Sequence, residues 1–327
     1  MEKLKFTCKH CNQKLEADLD LVGEKVLCPA CQNELVVSAI IDESYIVLQE
    51  NIKKYPDLSD FDRAELLINK HEFNAAHYLL QITNLSPNDH LRLEIEFFCQ
   101  KKEWESAKNL AELYIKLYPD SAIGYRWLAE ILDDGFEERE KAIATATKAI
   151  ELDPKFAEAY VIRGNTKRWL SPADNEGAEE DYNTALQIDS TLGRAYVGLG
   201  WIYYDNGDYI KATKKFTESF TYDKGTGYGA WQGLALVLHK LGKLEAAAEA
   251  IGTAISKEKA WYLYESEARI LYDMALQIGT ENAETRQGAY LLAFKSIGNA
   301  AALAPFNEQE SLFTLAGRMI LDFLEDK

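Results

Sequence analysis

The feature that most constrains this chain is a set of small and aromatic residues that recurs about every 34 to 36 positions through its middle. The clearest copy spans 196–219 and places Gly200 on one predicted helix and Ala212 on a second, with a turn at Gly207 between them. A period of this length is typical of stacked helix pairs, each of which buries its apolar face against its neighbours. The sequence therefore predicts a solenoid and directs attention to binding.

Small residues are required where two helices approach closely, because a larger side chain would force them apart. The next copy, 231–254, has Ala235 and Ala247 in the slots of Gly200 and Ala212. Gly207 and Gly242 are expected to close the turns, since a residue after a helix end often needs a left-handed backbone. Toward the amino terminus the small-residue slot recurs at Ala178, Ala142, Ala107 and Ala76.

These segments resemble tetratricopeptide repeats, and Ala142 to Pro154 is close to the second helix of that family. The resemblance implies a mainly α fold, a right-handed α-superhelix of about six to seven repeats over 57–305. Arg163 and Lys167 stand where the family prefers apolar residues, and extra residues lengthen the turn at 171–177. A linker helix is predicted over 39–56 and a C-terminal capping helix over 306–327.

Two Cys-x2-Cys pairs lie near the amino terminus, separated by 16 residues: Cys8 with Cys11, and Cys28 with Cys31. That spacing is read as a four-thiolate site for one structural Zn²⁺. A redox-active dithiol pair is the alternative. The segment resembles short bacterial zinc ribbons, so a small β zinc ribbon is predicted over 1–38 of a bacterial protein. A segment this short needs the metal to supply much of its folding free energy.

Composition limits the classes of function. The chain is 27% charged and 47% hydrophobic, with no apolar run of membrane-spanning length and no signal-peptide core, so we expect a cytoplasmic protein. Its formal charge of −17 argues against nucleic acid as the main partner, because phosphate binding needs a basic footprint. The histidines stand in no nucleophile or metal motif, and no glycine-rich phosphate loop is present, so no enzymatic activity is predicted.

In the family that the repeats resemble, the first helix of each pair lines a concave groove. The resemblance thus implies a groove that binds a partner peptide or helix, formed by Arg126, Asn165, Arg168, Trp201, Tyr204, Gln232, Leu236 and His239. Packing between repeats is the alternative role for Trp201 and Tyr204. The acidic chain favours a basic or mixed-charge partner.

The predicted function is that of a non-catalytic adaptor or scaffold for protein–protein interaction, with the ribbon as a structural head or second docking surface. The alternative is a regulator of transcription or translation whose ribbon contacts nucleic acid or its machinery. The sequence does not name the partner, the pathway or the oligomeric state.

Overall fold

The computed structural model describes residues 3–7, 14–18, 25–27, 29–31, 34–36, 54–55, 57–70, 72, 76, 79–80, 85–222, 227–278 and 282–325. The chain divides into two compact units, Met1–Pro119 and Asp120–Lys327. The predicted linker helix over 39–56 lies outside the described residues except for 54–55.

The first unit begins with four short strands: β1 (Lys3–Thr7), β2 (Lys14–Asp18), β3 (Lys25–Leu27) and β4 (Glu34–Val36). β1 pairs with β2 in antiparallel register from Lys3 opposite Asp18 to Thr7 opposite Lys14. β3 and β4 also pair with each other in antiparallel orientation. The described strands therefore form two separate two-stranded sheets.

In the described part of the same unit the strands are followed by the helices α1 (Asp60–Asn69), α2 (Pro87–Gln100) and α3 (Trp104–Leu117). Ser59 and Ser86 cap α1 and α2, because each hydroxyl accepts a backbone N–H from the third residue along, at 3.1 Å. Pro87 stands in the first turn of α2, where its missing N–H costs no hydrogen bond. The core of this part contains Ala64, Leu67, Ile68, Ala76, Leu79, Leu80, Leu93 and Phe97.

The second unit is helical throughout the residues that the structure describes. Its helices are α4 (Ala122–Asp134), α5 (Arg139–Leu152), α6 (Ala157–Arg168), α7 (Asn175–Ile188), α8 (Gly193–Asp205), α9 (Tyr209–Tyr222), α10 (Tyr228–Lys240), α11 (Leu244–Lys257), α12 (Trp261–Gln277), α13 (Ala283–Leu303) and α14 (Phe306–Glu325). The even-numbered helices α4 to α12 are the first helices of successive pairs, and the odd-numbered helices α5 to α13 are the second. Among the described residues, no helix is long and apolar enough to span a membrane.

Packing in this unit follows the order of the chain. Each first helix packs against its own second helix, and each second helix packs against the first helix of the next pair. Each first helix from α4 to α10 also contacts the next first helix. The first helices therefore lie side by side in one layer, as the repeat period predicts.

The small residues lie where the sequence places them. Ala142, Ala178, Ala212 and Ala247 are fully buried on their second helices. The turn glycines Gly207 and Gly242 have φ of +75° and +71°, the left-handed backbone that glycine adopts at least cost. The predicted repeat register is thus confirmed for these copies.

Glycines on the first helices make room for aromatic rings on the second. A side chain at Gly200 would bring its Cβ to 2.7 Å from the ring of Phe216, and one at Gly233 of the next repeat would come within 2.2 Å of the same ring. Tyr182, one repeat earlier, is held in the same way between Gly164 and Gly198. Each ring thus fills a space shared by two successive first helices.

The two charged residues that depart from the repeat pattern are paired with a single carboxylate. Arg163 of α6 donates to Asp181 of α7 through Nε at 3.0 Å and Nη2 at 2.6 Å. Lys167 Nζ lies 2.9 Å from the same carboxyl group. The side chain of Asp181 is only 5% exposed, so one buried anion replaces apolar contacts between the two helices.

Helix α14 closes the carboxyl-terminal end of the second unit. Leu312, Leu315 and Met319 are buried in a cluster with residues of α12 and α13, among them Tyr290 and Ile297. The hydroxyl of Tyr272 on α12 donates to the carboxylate of Asp322 on α14. The helix begins directly after Pro305 and lies within the range predicted for the capping helix.

Candidate functional site

The candidate site is the exposed surface of the first helices α4, α6, α8, α10 and α12, which we name the first-helix face. The structure places all eight predicted groove residues on α4, α6, α8 and α10, and each is partly exposed. On α10, Gln232, Leu236 and His239 follow one another at spacings of four and three, so they share one side of the helix. The predicted set therefore extends over four successive first helices.

Arg126 on α4 belongs to an ionic cluster that spans three successive repeats. Its Nη1 donates to Glu130 Oε2 at 2.6 Å, and Arg194 Nη2 on α8 donates to Glu130 Oε1 at 3.0 Å. Burial raises the pKa of Glu130, but the guanidiniums of Arg194 and Arg126 outweigh burial and hold the pKa below its ordinary value. The Glu130 carboxylate therefore links α4 to α8 across α6.

Arg168, at the end of α6, lies between two tryptophans. Its guanidinium carbon is 5.8 Å from the ring centroid of Trp169 and 5.9 Å from that of Trp201. Both distances fall within the range of cation–π attraction. Nη2 of Arg168 also donates to Asp205 on α8 at 3.4 Å. Trp169 itself is 62% exposed.

Trp201 and Tyr204 contact each other edge to face, with ring centroids 5.8 Å apart. Trp201 also packs edge to face on the buried ring of Phe216 at 5.4 Å, and both residues adjoin the cluster around that ring. The packing role, stated as the alternative from sequence, therefore applies to part of each side chain. The remaining part of each is exposed on the first-helix face.

Two other predicted groove residues have partners on neighbouring helices. Asn165 Oδ1 accepts the hydroxyl of Tyr182 at 2.8 Å, so its amide oxygen anchors the buried ring. His239 Nε2 lies 2.6 Å from Asp273 Oδ2 on α12. Asp273 is 44% exposed, so this pair borders the face at its carboxyl-terminal side.

The structure adds residues to this face that the sequence interpretation missed, namely Trp169, Arg194, Asp205 and Asp273. The sequence did contain a signal for Asp205 and Asp273, because each follows its partner by about one repeat. Asp205 follows Arg168 by 37 residues, and Asp273 follows His239 by 34. Trp169 lies beside the lengthened turn at 171–177, where the repeat pattern makes no prediction. Arg194 is 64 residues from Glu130, and no local pattern connects them.

An apolar cleft of about 680 Å³ opens between α12 and α13. Its walls include Leu271 and Met274 of α12 and Ala289 and Leu292 of α13. Leu292 is 53% exposed, so the cleft continues onto an apolar surface of α13.

The predicted zinc ligands fall mainly outside the described residues. Cys8, Cys11 and Cys28 lie outside them, and Cys31 is partly exposed in a turn at 29–31. In sequence, the first cysteine pair stands between β1 and β2, and the second between β3 and β4. Each pair thus belongs to the connection of an antiparallel hairpin.

Comparison with known proteins finds a family match for one of the repeats. Residues 228–256, which cover α10 and most of α11, match the family model of the tetratricopeptide repeat. The chain is 31% identical over 121 residues to human tetratricopeptide repeat protein 6 and 28% identical over 117 residues to a TPR repeat-containing protein of Methanocaldococcus jannaschii. Each match covers 36% of this chain, but only 23% and 20% of the two relatives.

Solved structures show the same architecture. The crystal structure of the APC/C hetero-tetramer Cut9-Hcn1 contains a chain similar in fold, with a TM-score of 0.63 and 15% identity over 83% of this chain and 52% of that chain. A tetratricopeptide repeat protein from Parabacteroides merdae has a TM-score of 0.50 and 17% identity over 84% of this chain and 98% of that chain. The chain therefore contains a segment that matches the tetratricopeptide repeat, and its described residues have a mainly helical, tetratricopeptide-like fold.

Proposed function

We propose that this chain is a non-catalytic adaptor whose first-helix face binds an extended peptide or a helix of a partner protein. The fold agrees with this role, since tetratricopeptide repeat proteins typically bind other proteins. The observation that carries the proposal is the cluster of Trp169, Arg168, Trp201 and Tyr204 at the ends of two successive first helices. Partly exposed aromatic and arginine side chains are the residues that most often dominate binding energy at protein interfaces.

Ion pairs on the first-helix face favour binding because they hold charged side chains of this face in place. Arg168 is fixed by Asp205, and Arg126 and Arg194 are fixed by Glu130. Side chains that are already ordered lose less conformational entropy when a partner docks. The more exposed members, Arg194 at 52% and Asp205 at 43%, remain available at the rim.

These features also indicate the chemistry of the partner. An apolar or aromatic side chain would contact Trp169 and Trp201, while charges of both signs would complement Arg194 and Asp205. The net charge of −17 further favours a basic or mixed-charge segment through long-range attraction. The proposed partner is therefore a mixed-charge segment with at least one large apolar anchor.

Affinity purification from the host, followed by mass spectrometry, tests this proposal with the variant Trp169→Ala. Because Trp169 is 62% exposed, its loss should leave thermal unfolding unchanged while removing the proteins that the wild type enriches. Ile210→Ala is the matched control, since Ile210 is 78% exposed on the second helix α9 and should retain capture. If the wild type, Trp169→Ala and Ile210→Ala captured the same proteins equally well, the first-helix face would be excluded as the binding surface.

We further propose that Cys8, Cys11, Cys28 and Cys31 hold one structural Zn²⁺. The spacing of the pairs supports this, and so does their position in the connections of two antiparallel hairpins. Four thiolates from two such connections suit the tetrahedral coordination of structural zinc. The ion would stabilise a segment that is too short to bury an independent core.

A further inference from the structure

Helix α14 is apolar on two opposite sides. One side carries Leu312, Leu315 and Met319 into the core with α12 and α13. The other side leaves Phe306 90% exposed, Phe313 63%, Ile320 47% and Leu324 56%. Their spacings of seven, seven and four place all four in one stripe along the helix. Leu321, which is 63% exposed, flanks the same stripe.

This exposed stripe is large enough for a stable interface. From the exposed fractions and side-chain areas of ~150–250 Å² for an aromatic residue, the stripe presents ~600 Å² of apolar surface. A contiguous exposed patch of that size on a soluble chain marks an interaction site. Two such stripes in contact would bury ~1,200 Å², the lower end of the range for specific protein interfaces.

Gly317 lies in the middle of the stripe, and the fold of the chain does not require it. A Cβ at this position would meet no atom within 4 Å, whereas Cβ atoms at Gly198 and Gly233 would collide with buried rings. Glycine inside a helix is less favourable than alanine. Gly317 therefore leaves an open gap within the stripe.

We propose that α14 packs antiparallel on α14 of a second copy of this chain, about a twofold axis at the level of Leu315. In that register Phe313 of each copy lies opposite Gly317 of the other, and Phe306 lies opposite Leu324. The large ring of one helix thus fills the space left by the glycine of its partner, twice by symmetry. A patch that is complementary to itself is the requirement for a twofold dimer.

Charges at the edge of the stripe agree with this arrangement. Glu310 and Arg318 are both exposed on α14, on the same side of the stripe as Leu321. Antiparallel packing brings Glu310 of one copy within about a turn of Arg318 of the other. Opposite charges at the rim add to the specificity of the pairing.

Light scattering during size-exclusion chromatography, run from low to high micromolar concentration, tests the proposal on the full chain. The wild type should reach twice the mass of one chain. Phe313→Glu should raise the dissociation constant at least roughly thirtyfold, as expected for loss of a buried aromatic anchor. Ile210→Glu introduces the same charge at an exposed site on α9 and should dimerise like the wild type.

A pair of substitutions tests the register without altering charge. Phe313→Ala and Gly317→Phe should each weaken the dimer, while the double variant should recover it, because the ring and the small residue have only exchanged places. Circular dichroism should show the same helix content in every variant.

A wild type that stays monomeric at all concentrations would overturn the proposal, as would a dimer that Phe313→Glu leaves intact. Cosedimentation of a monomeric wild type with phosphatidylcholine vesicles, lost in Phe313→Glu, would assign the stripe to a lipid surface instead.

Discussion

The ring of Tyr182 on α7 occupies the space that any side chain at Gly198 on α8 would need. A Cβ on Gly198 would lie 2.2 Å from Cζ of this ring. The hydroxyl at the far end of the ring donates to Asn165, so the ring cannot withdraw without losing a hydrogen bond. The size of one side chain on a second helix therefore sets the identity of a residue in the next repeat.

Gly198→Ala should destabilise the protein. Overpacking costs roughly 1–3 kcal/mol, which exceeds the gain of about 1 kcal/mol when alanine replaces glycine inside a helix. Urea unfolding followed by circular dichroism measures the difference. Gly298→Ala on α13 is the control, because its Cβ would meet nothing within 4 Å and the substitution should stabilise. Equal midpoints for the two variants would contradict the packing argument.

Asp181→Ala should destabilise the protein by roughly 2–3 kcal/mol, somewhat below the cost of breaking a fully buried ion pair. The substitution leaves Arg163 and Lys167, which are only 19% and 18% exposed, without their shared anion. Chemical denaturation gives the free energy of unfolding.

The single variant Asp181→Ala is compared with the triple variant Arg163→Leu, Lys167→Leu, Asp181→Ala. It restores the apolar pattern typical of the repeat family and should recover most of the lost stability, since buried ion pairs are often replaceable by apolar residues. A triple variant as unstable as the single one would show that the ion pairs are not the source of the loss.

Acid should weaken the cluster of Arg126, Glu130 and Arg194. The pKa of Glu130 lies below its ordinary value in the folded protein, since the two guanidiniums outweigh the effect of burial. The stability that ionised Glu130 contributes is therefore fully present at pH values above the pKa of this carboxyl in the unfolded chain. It is lost as the pH falls through the pKa of the carboxyl in the folded protein. The free energy of unfolding should therefore decrease at pH values on the acid side of the ordinary glutamate pKa.

Denaturation at a series of pH values checks this prediction with Glu130→Gln. The variant should be less stable than the wild type at neutral pH and should lose less stability on acidification, so the two curves converge. Glu245→Gln on α11 is the control, because Glu245 is exposed and its replacement should leave the curve of the wild type unchanged. If the stabilities of the wild type and Glu130→Gln changed in parallel with pH, the prediction would be wrong.

Elemental analysis of the purified protein should find one zinc per chain. Cys28→Ser should lose the metal while the helical circular dichroism remains, because the helices of the second unit bury their own cores. Purified protein that lacks zinc and forms reversible disulfides between the cysteine pairs would favour the redox alternative.

The sequence alone was sufficient for the periodic parts of the molecule. Ala142, Ala178, Ala212 and Ala247 recur at the repeat spacing and are buried, and Gly207 adopts the left-handed turn that its position predicts. These features follow from local geometry repeated in each copy, so a one-dimensional pattern contains them. The helical class of the fold, and the assignment of the predicted groove residues to first helices, follow from the same periodicity.

Only the tertiary structure decided which particular side chains meet. Glu130 binds Arg194 over 64 residues, and Asp181 neutralises Arg163 and Lys167, the residues that depart from the family pattern. The exposure of Trp169 and its contact with Arg168 likewise depend on how α6 ends. Such pairings depend on the angles between successive helices and on side-chain rotamers. Neither quantity is periodic in sequence, because each contact depends on the particular residues of several helices at once.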